Sequence, residues 1–177
     1  MKRAIIAVAA GVLVWAGSAG IAVGKVIYVD GGASGADNGT CWADAYVFLQ
    51  DGLADANDSE EPVEIRVAQG VYRPDSSAAE PNGTGDRMAT FRLIDGAAIQ
   101  GGYAGFGGAD PNGRDIEGYE TVLSGDLDGN DVDVNDLADL RDEPSRGENA
   151  YHVVTGGGTG ESAVLDGLTI TGGNANG

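Results

Sequence analysis

Leu168-Thr-Ile-Thr-Gly-Gly173 is a run of four strand-forming residues cut off by two glycines. The same order recurs upstream, in Ala97-Ala-Ile-Gln-Gly-Gly-Tyr103, Thr121-Val-Leu-Ser-Gly-Asp126 and Val153-Val-Thr-Gly-Gly157. β-Branched and apolar residues favour extended backbone, and Gly or Asp turns the chain sharply. Working outward, the strand candidates are 25–29, 63–67, 90–93, 97–101, 121–124, 151–155, 163–165 and 168–171. In the second of these, Val63, Ile65 and Val67 point one way and Glu64 and Arg66 the other. Gln69 to Pro74 reads as a turn and 75–87 as a polar loop. No tight Asn-Gly hairpin turn joins two of the strands. One stretch changes period: Trp42, Tyr46, Leu49, Leu53 and Ala56 share a helical face, with Thr40 as N-cap and Asp44 near the positive helix end. No second long amphipathic helix follows, which argues against a doubly wound sheet. The pattern predicts a coil of parallel strands, with Ile99 to Val122 as one turn of it and a loop inserted between Val122 and Val153.

Composition agrees with many short strands and tight turns. Gly is the outlier at 31 residues, Pro numbers only 5, and hydrophobic content is 42%. That is neither collagen nor a disordered tail. The formal net charge of −18 argues against nucleic acid and against an anionic membrane surface, both of which attract Lys and Arg. Lys2 and Arg3 precede an apolar stretch from Ala4 to Ala16, and small residues follow through Gly20. This is the layout of a secretory signal peptide, assigned to 1–24, and the apolar run is short for a membrane span. The remaining chain, 25–177, is then secreted or displayed at the cell surface, with no transmembrane helix after cleavage. Cys41 is the only cysteine, so no internal disulfide forms, and burial beside Trp42 is expected for it.

The stretch Ile27-Tyr-Val-Asp-Gly-Gly-Ala-Ser-Gly-Ala-Asp-Asn-Gly-Thr-Cys-Trp-Ala-Asp-Ala-Tyr46, followed by Leu49-Gln-Asp-Gly-Leu-Ala54, resembles the opening of large bacterial exported parallel β-helix proteins. The runs Ile65 to Pro74, Phe91 to Gly105, Thr121 to Asp126, Ala150 to Thr155 and Leu165 to Ala175 continue the likeness, over nearly all of Val26 to Gly177. The end, Gly172-Gly-Asn-Ala175, also resembles repeats of polymorphic outer-membrane proteins. The resemblance implies an all-β fold, a right-handed parallel β-helix of the pectate-lyase-like kind, built as a single-stranded solenoid with a short amino-terminal capping helix. Members are usually much longer. The chain stops directly after a coil, so it is expected to be a truncated amino-terminal part.

The sharpest chemical feature is Asp126-Leu-Asp-Gly-Asn-Asp-Val-Asp-Val-Asn-Asp136, inside an acidic loop insertion assigned to 126–148. Closely spaced carboxylate and amide oxygens suit a hard ion such as Ca²⁺. The run resembles an EF-hand or dockerin loop. Asp126, Asp128 and Asn130 match the first three ligand positions, and Asp133 and Asp136 come into register once one residue missing at the turn Gly is restored. The expected metal ligands are therefore Asp126, Asp128, Asn130, Asp133 and Asp136, with a solvated acidic insertion as the other reading. Two Gly-rich stretches, 31–37 and 157–161, read as plain turns.

No catalytic set is assigned. Arg66 and Arg92 alternate outward from strands, where ion pairing is the default. His152 stands alone, and no Gly-x-Ser-x-Gly elbow, His-Glu-x-x-His helix or Cys pair is present. The expected function is a non-catalytic structural, adhesive or display role, with polysaccharide or cell-surface components as partners. Two alternatives stand beside it: a polysaccharide-active lyase or hydrolase whose active coils lie beyond Gly177, and a calcium-dependent interaction module.

Overall fold

Alternation of side chains across each strand places one apolar row inward and one polar row outward, and stacking of those rows builds the domain. In the computed structural model, which describes residues 24–134, 136, 139–141 and 143–175, the elements are β1 (Lys25–Val29), α1 (Leu49–Asn57), β2 (Val63–Ala68), β3 (Gly70–Tyr72), β4 (Phe91–Arg92), β5 (Ala97–Tyr103), β6 (Thr121–Ser124), β7 (Val154–Thr155), β8 (Val164–Asp166) and β9 (Thr169–Thr171). Among the described residues, the strands pair with one another in parallel, in a four-stranded sheet ordered β1-β2-β5-β8, a three-stranded sheet β3-β6-β9 and the pair β4-β7, and an isolated antiparallel bridge joins Tyr103 of β5 to Arg114. The signal-peptide reading falls on residues 1–23, which lie outside the described residues. Among the described residues, no helix is long and apolar enough to cross a membrane.

The core follows from register. Ile27 pairs with Ile65, Ile65 with Ile99, and Ile99 with Leu165, so four branched apolar side chains stack in one row. Ile27, Ile65 and Ile99 are almost fully buried, and Leu123 of β6 and Phe91 of β4 close the core from the other sheets. Helix α1 contributes Leu49, Leu53 and Ala56 to the same cluster. On the outer face the row is polar: Tyr28 opposite Arg66, Arg66 opposite Gln100, and Gln100 opposite Asp166. Arg66 there pairs with Glu64 at 2.6 Å.

The expectation of an all-β chain, a right-handed parallel β-helix built as a single-stranded solenoid, is corrected. The described residues form a small mixed α/β domain, 10% helix and 25% strand, with three sheets of two to four short parallel strands and one helix. Ile99 and Val122 are not successive copies on one face. Ile99 belongs to the first sheet, while Val122 pairs with Val71 and Thr169 in the second. Steps between stacked partners are unequal, and β4 and β7 are two residues each. Short strand-then-Gly runs look alike in sequence whichever sheet they join, so they suggested a regularity that the pairing lacks.

The helix is also shorter than its apolar period predicts. It begins at Leu49, with Phe48 extended at the N-cap position and no capping side chain, so Thr40 caps nothing. Tyr46 pairs alongside β1 instead: its N–H donates to the Tyr28 carbonyl at 2.9 Å, and the N–H of Asp30, just after β1, donates to the Tyr46 carbonyl at 2.8 Å. Tertiary hydrogen bonding here overrides a helical period. Trp42 leaves the helical face and packs on the outer face of the first sheet. Its ring lies 4.9 Å from Tyr28 and 5.6 Å from Tyr103, and its Nε1 donates to Asn112 Oδ1 at 3.0 Å. Cys41, expected to be buried beside it, is exposed. The indole occupies the space beneath the 104–120 loop, and the thiol turns to the Asp44 carboxylate.

β5 bulges opposite β2, where the register jumps between Arg66 and Ala68, and Gly102 takes φ +86° there. A Cβ on its neighbour Gly101 would meet the Gly167 carbonyl oxygen, Leu168 Cδ2 and Thr121 Cβ. Gly101→Ala is therefore expected to destabilise by about 1–3 kcal/mol through overpacking. Gly157→Ala, with nothing within 4 Å of its added Cβ, is expected to be near neutral. Urea midpoints of the two variants check the contrast.

Candidate metal centre

β6 ends at Ser124, and Gly125 carries the chain out of the sheet into the acidic loop. The loop closes at its base, because the Ala150 N–H donates to the Gly125 carbonyl at 2.7 Å. Asp126 organises the first turn. Its Oδ1 accepts the N–H groups of Gly129 at 2.7 Å and Asn130 at 3.0 Å, and its Oδ2 accepts that of Asp131 at 3.1 Å. Gly129 has φ +70° in this turn. Buried Leu127 pins the turn inward, and Arg73 Nε of the segment after β3 donates to the Asp126 carbonyl at 2.8 Å.

The far end of the loop supplies the other half. A short 3-10 helix, Pro144–Arg146, is capped by Glu143, whose carboxylate accepts the Ser145 N–H. Ser145 Oγ accepts the Val132 N–H at 3.2 Å. Asn149 is completely buried, and its Nδ2 donates to Asp131 Oδ2 at 2.9 Å. The segment is held against the domain by Arg87, which donates to the Asn149 carbonyl at 2.7 Å and the Asn174 carbonyl at 3.1 Å and stacks 4.1 Å over the Tyr151 ring.

These contacts gather carboxylate oxygens of Asp126, Asp131 and Glu148 within 4.8 Å of one another. Two oxygens on one Ca²⁺ at about 2.4 Å each are at most about 4.8 Å apart, so the spacing matches a shared ion. Asp131 Oδ1, Glu148 Oε1 and Asn149 Oδ1 are buried acceptors with no hydrogen-bond donor. Such atoms are costly unless something satisfies them. Burial, followed by the charges of Asp126, Asp128 and Asp131, pushes the Glu148 carboxyl above its ordinary range. A cation relieves both burdens. The donors are oxygen alone, with no His or Cys among them, which suits Ca²⁺ or Mg²⁺ rather than Zn²⁺.

Of the residues expected as ligands, Asp126 belongs to this group. Asp128, Asp133 and Asp136 are exposed and are not among the three clustered carboxylates. Asn130 is exposed as well and reaches Asp126 through its backbone N–H. Asp131, Glu148 and Asn149 were not legible from ligand spacing, because two of them come from the opposite end of the loop. A spacing rule sees one contiguous segment, whereas here the loop folds back on itself. His152 is not among the clustered residues and lines a surface pocket with Met88, Tyr151 and Ala175.

Compared with known protein families, curated proteins and solved structures, the chain matches none. The likeness to exported parallel β-helix proteins therefore rests on the quoted residues alone.

Proposed function

We propose that this chain is a non-catalytic structural or display domain, exported from the cell, whose acidic loop is ordered by a divalent cation, Ca²⁺ by preference. One observation carries the reading: three clustered carboxylates share their site with a fully buried Asn149 whose Oδ1 has no donor. The leader-like amino terminus and the net charge of −18 support a place outside the cell, where millimolar Ca²⁺ sites operate. The ion joins the turn after β6 to the residues just before Ala150, so its role is to fasten a surface loop at both ends.

The test is a thermal melt of the purified chain in EDTA and in 5 mM CaCl₂. For a site of millimolar or sub-millimolar affinity, mass action adds roughly 1–2 kcal/mol. In a domain of this size that raises the midpoint by about 3–6 °C. The same ionic strength of NaCl is expected to give a much smaller shift. A midpoint indifferent to Ca²⁺ would refute the reading.

A further inference from the structure

We propose that Arg146 is a built-in competitor for the cation, so that guanidinium and metal ion are alternative counter-charges for Asp131. The inference rests on the reading that the cluster holds a divalent ion. Arg146 Nη1 stands 3.5 Å from Asp131 Oδ2, longer than a charge-assisted hydrogen bond. Its Nε is buried with no acceptor. The guanidinium thus leans on the cluster without the bidentate fork that would lock it there. Its backbone is held in place: the Arg146 carbonyl accepts the Asn149 N–H at 3.4 Å and Asn174 Nδ2 at 2.7 Å. Only the side chain needs to move.

Charge and geometry agree on the exchange. Asp126, Asp131 and Glu148 carry three negative charges when ionised, and the one positive charge of Arg146 offsets them only in part. Asp131 Oδ2 faces two donors, Arg146 Nη1 and Asn149 Nδ2. A half-turn of the Asn149 carboxamide would bring its unpartnered Oδ1 to the position of Nδ2, 2.9 Å from Asp131 Oδ2. Two oxygens at that distance suit adjacent positions around one hard cation. When the ion binds, Asn149 changes from donor to ligand and the guanidinium swings outward. Like charge a few ångströms away weakens binding, so Arg146 sets the affinity of the site.

Calorimetric titration of the intact chain with CaCl₂, for the wild type and Arg146→Gln, tests this. The variant is expected to bind Ca²⁺ roughly tenfold tighter. Its melt in EDTA should fall, because three carboxylates lose their counter-charge, while its Ca²⁺-induced rise grows. A purely structural role for Arg146 would lower both melts equally and leave the affinity unchanged. Equal or weaker binding by Arg146→Gln, beside a wild type that binds, would overturn the competitor role and leave the cation site standing. Binding by the variant alone would overturn the cation reading of the wild type, and with it the exchange, because the guanidinium would then hold the site permanently. Binding by neither would overturn both. Should Arg146→Gln fail to fold, Arg146→Met removes the same charge while keeping an apolar stem of similar reach, with tighter Ca²⁺ binding than the wild type expected and an unchanged affinity refuting the proposal.

Discussion

Phe91→Ala is expected to cost about 3–5 kcal/mol, the range for truncating a fully buried aromatic side chain. Phe91 has no exposed surface and lies in the main core cluster, yet its strand is two residues long and pairs only with β7. So little ladder gives that sheet almost no hydrogen-bonded stability of its own. The ring, seated in the same core as Leu53 and Ile65, is what holds β4 and β7 to the rest. A loss of this size is a large part of the total stability of an ordinary domain. The melting midpoint should drop by roughly 10 °C, and urea unfolding should show an earlier midpoint. Val71→Ala, at a position 56% exposed on β3, should change stability by no more than about 0.5 kcal/mol. Equal effects at the two positions would show that the core does not sit where the buried rows place it.

The second large effect is expected at Asp126. Its carboxylate accepts three backbone N–H groups in one turn and contributes an oxygen to the acidic cluster. Asp126→Ala removes both functions, and about 2–4 kcal/mol of stability is expected to go with the turn, since hydrogen bonds to a charged group are among the stronger ones. Asp126→Asn separates the two roles. Its amide oxygen can still accept N–H groups, so the loss in EDTA should be near 1 kcal/mol, while the rise in midpoint with Ca²⁺ should shrink or vanish. Melts of the three chains with and without Ca²⁺ check this. A full Ca²⁺ response in Asp126→Ala would remove Asp126 from the ligand set.

Strand positions were largely legible in the sequence, because alternation and β-branching are local. Val63 to Val67 reads as a strand with one buried and one outward row, and the structure has it so within β2. Which strands pair was not legible. Val122 looks as good a partner for Ile99 as Leu165 does until the chain between them is placed, and the 104–120 and 125–153 segments decide that by where they turn. The helix start was misread for a related reason. Trp42 and Tyr46 fit a helical face in sequence, but hydrogen bonds between Tyr46 and β1 are non-local and outweigh the period. At the candidate site, Asp126 stood out because acidic density is a local property. Glu148 and Asn149 did not, because only the closure of the loop at Gly125 and Ala150 brings them near.

The packing of Trp42 has a spectroscopic consequence. The sequence contains one other tryptophan, Trp15, which lies outside the described residues, so Trp42 is the only indole of the described domain. With two tyrosine rings within 5.6 Å, it is placed to collect their excitation energy, and its almost complete burial is expected to shift its emission to the blue. That emission reports on how the 104–120 loop seats against the first sheet through Asn112. The acidic loop leaves from β6, in a different sheet. The domain therefore carries an optical channel for the integrity of one face, against which any response of the cation loop can be read separately.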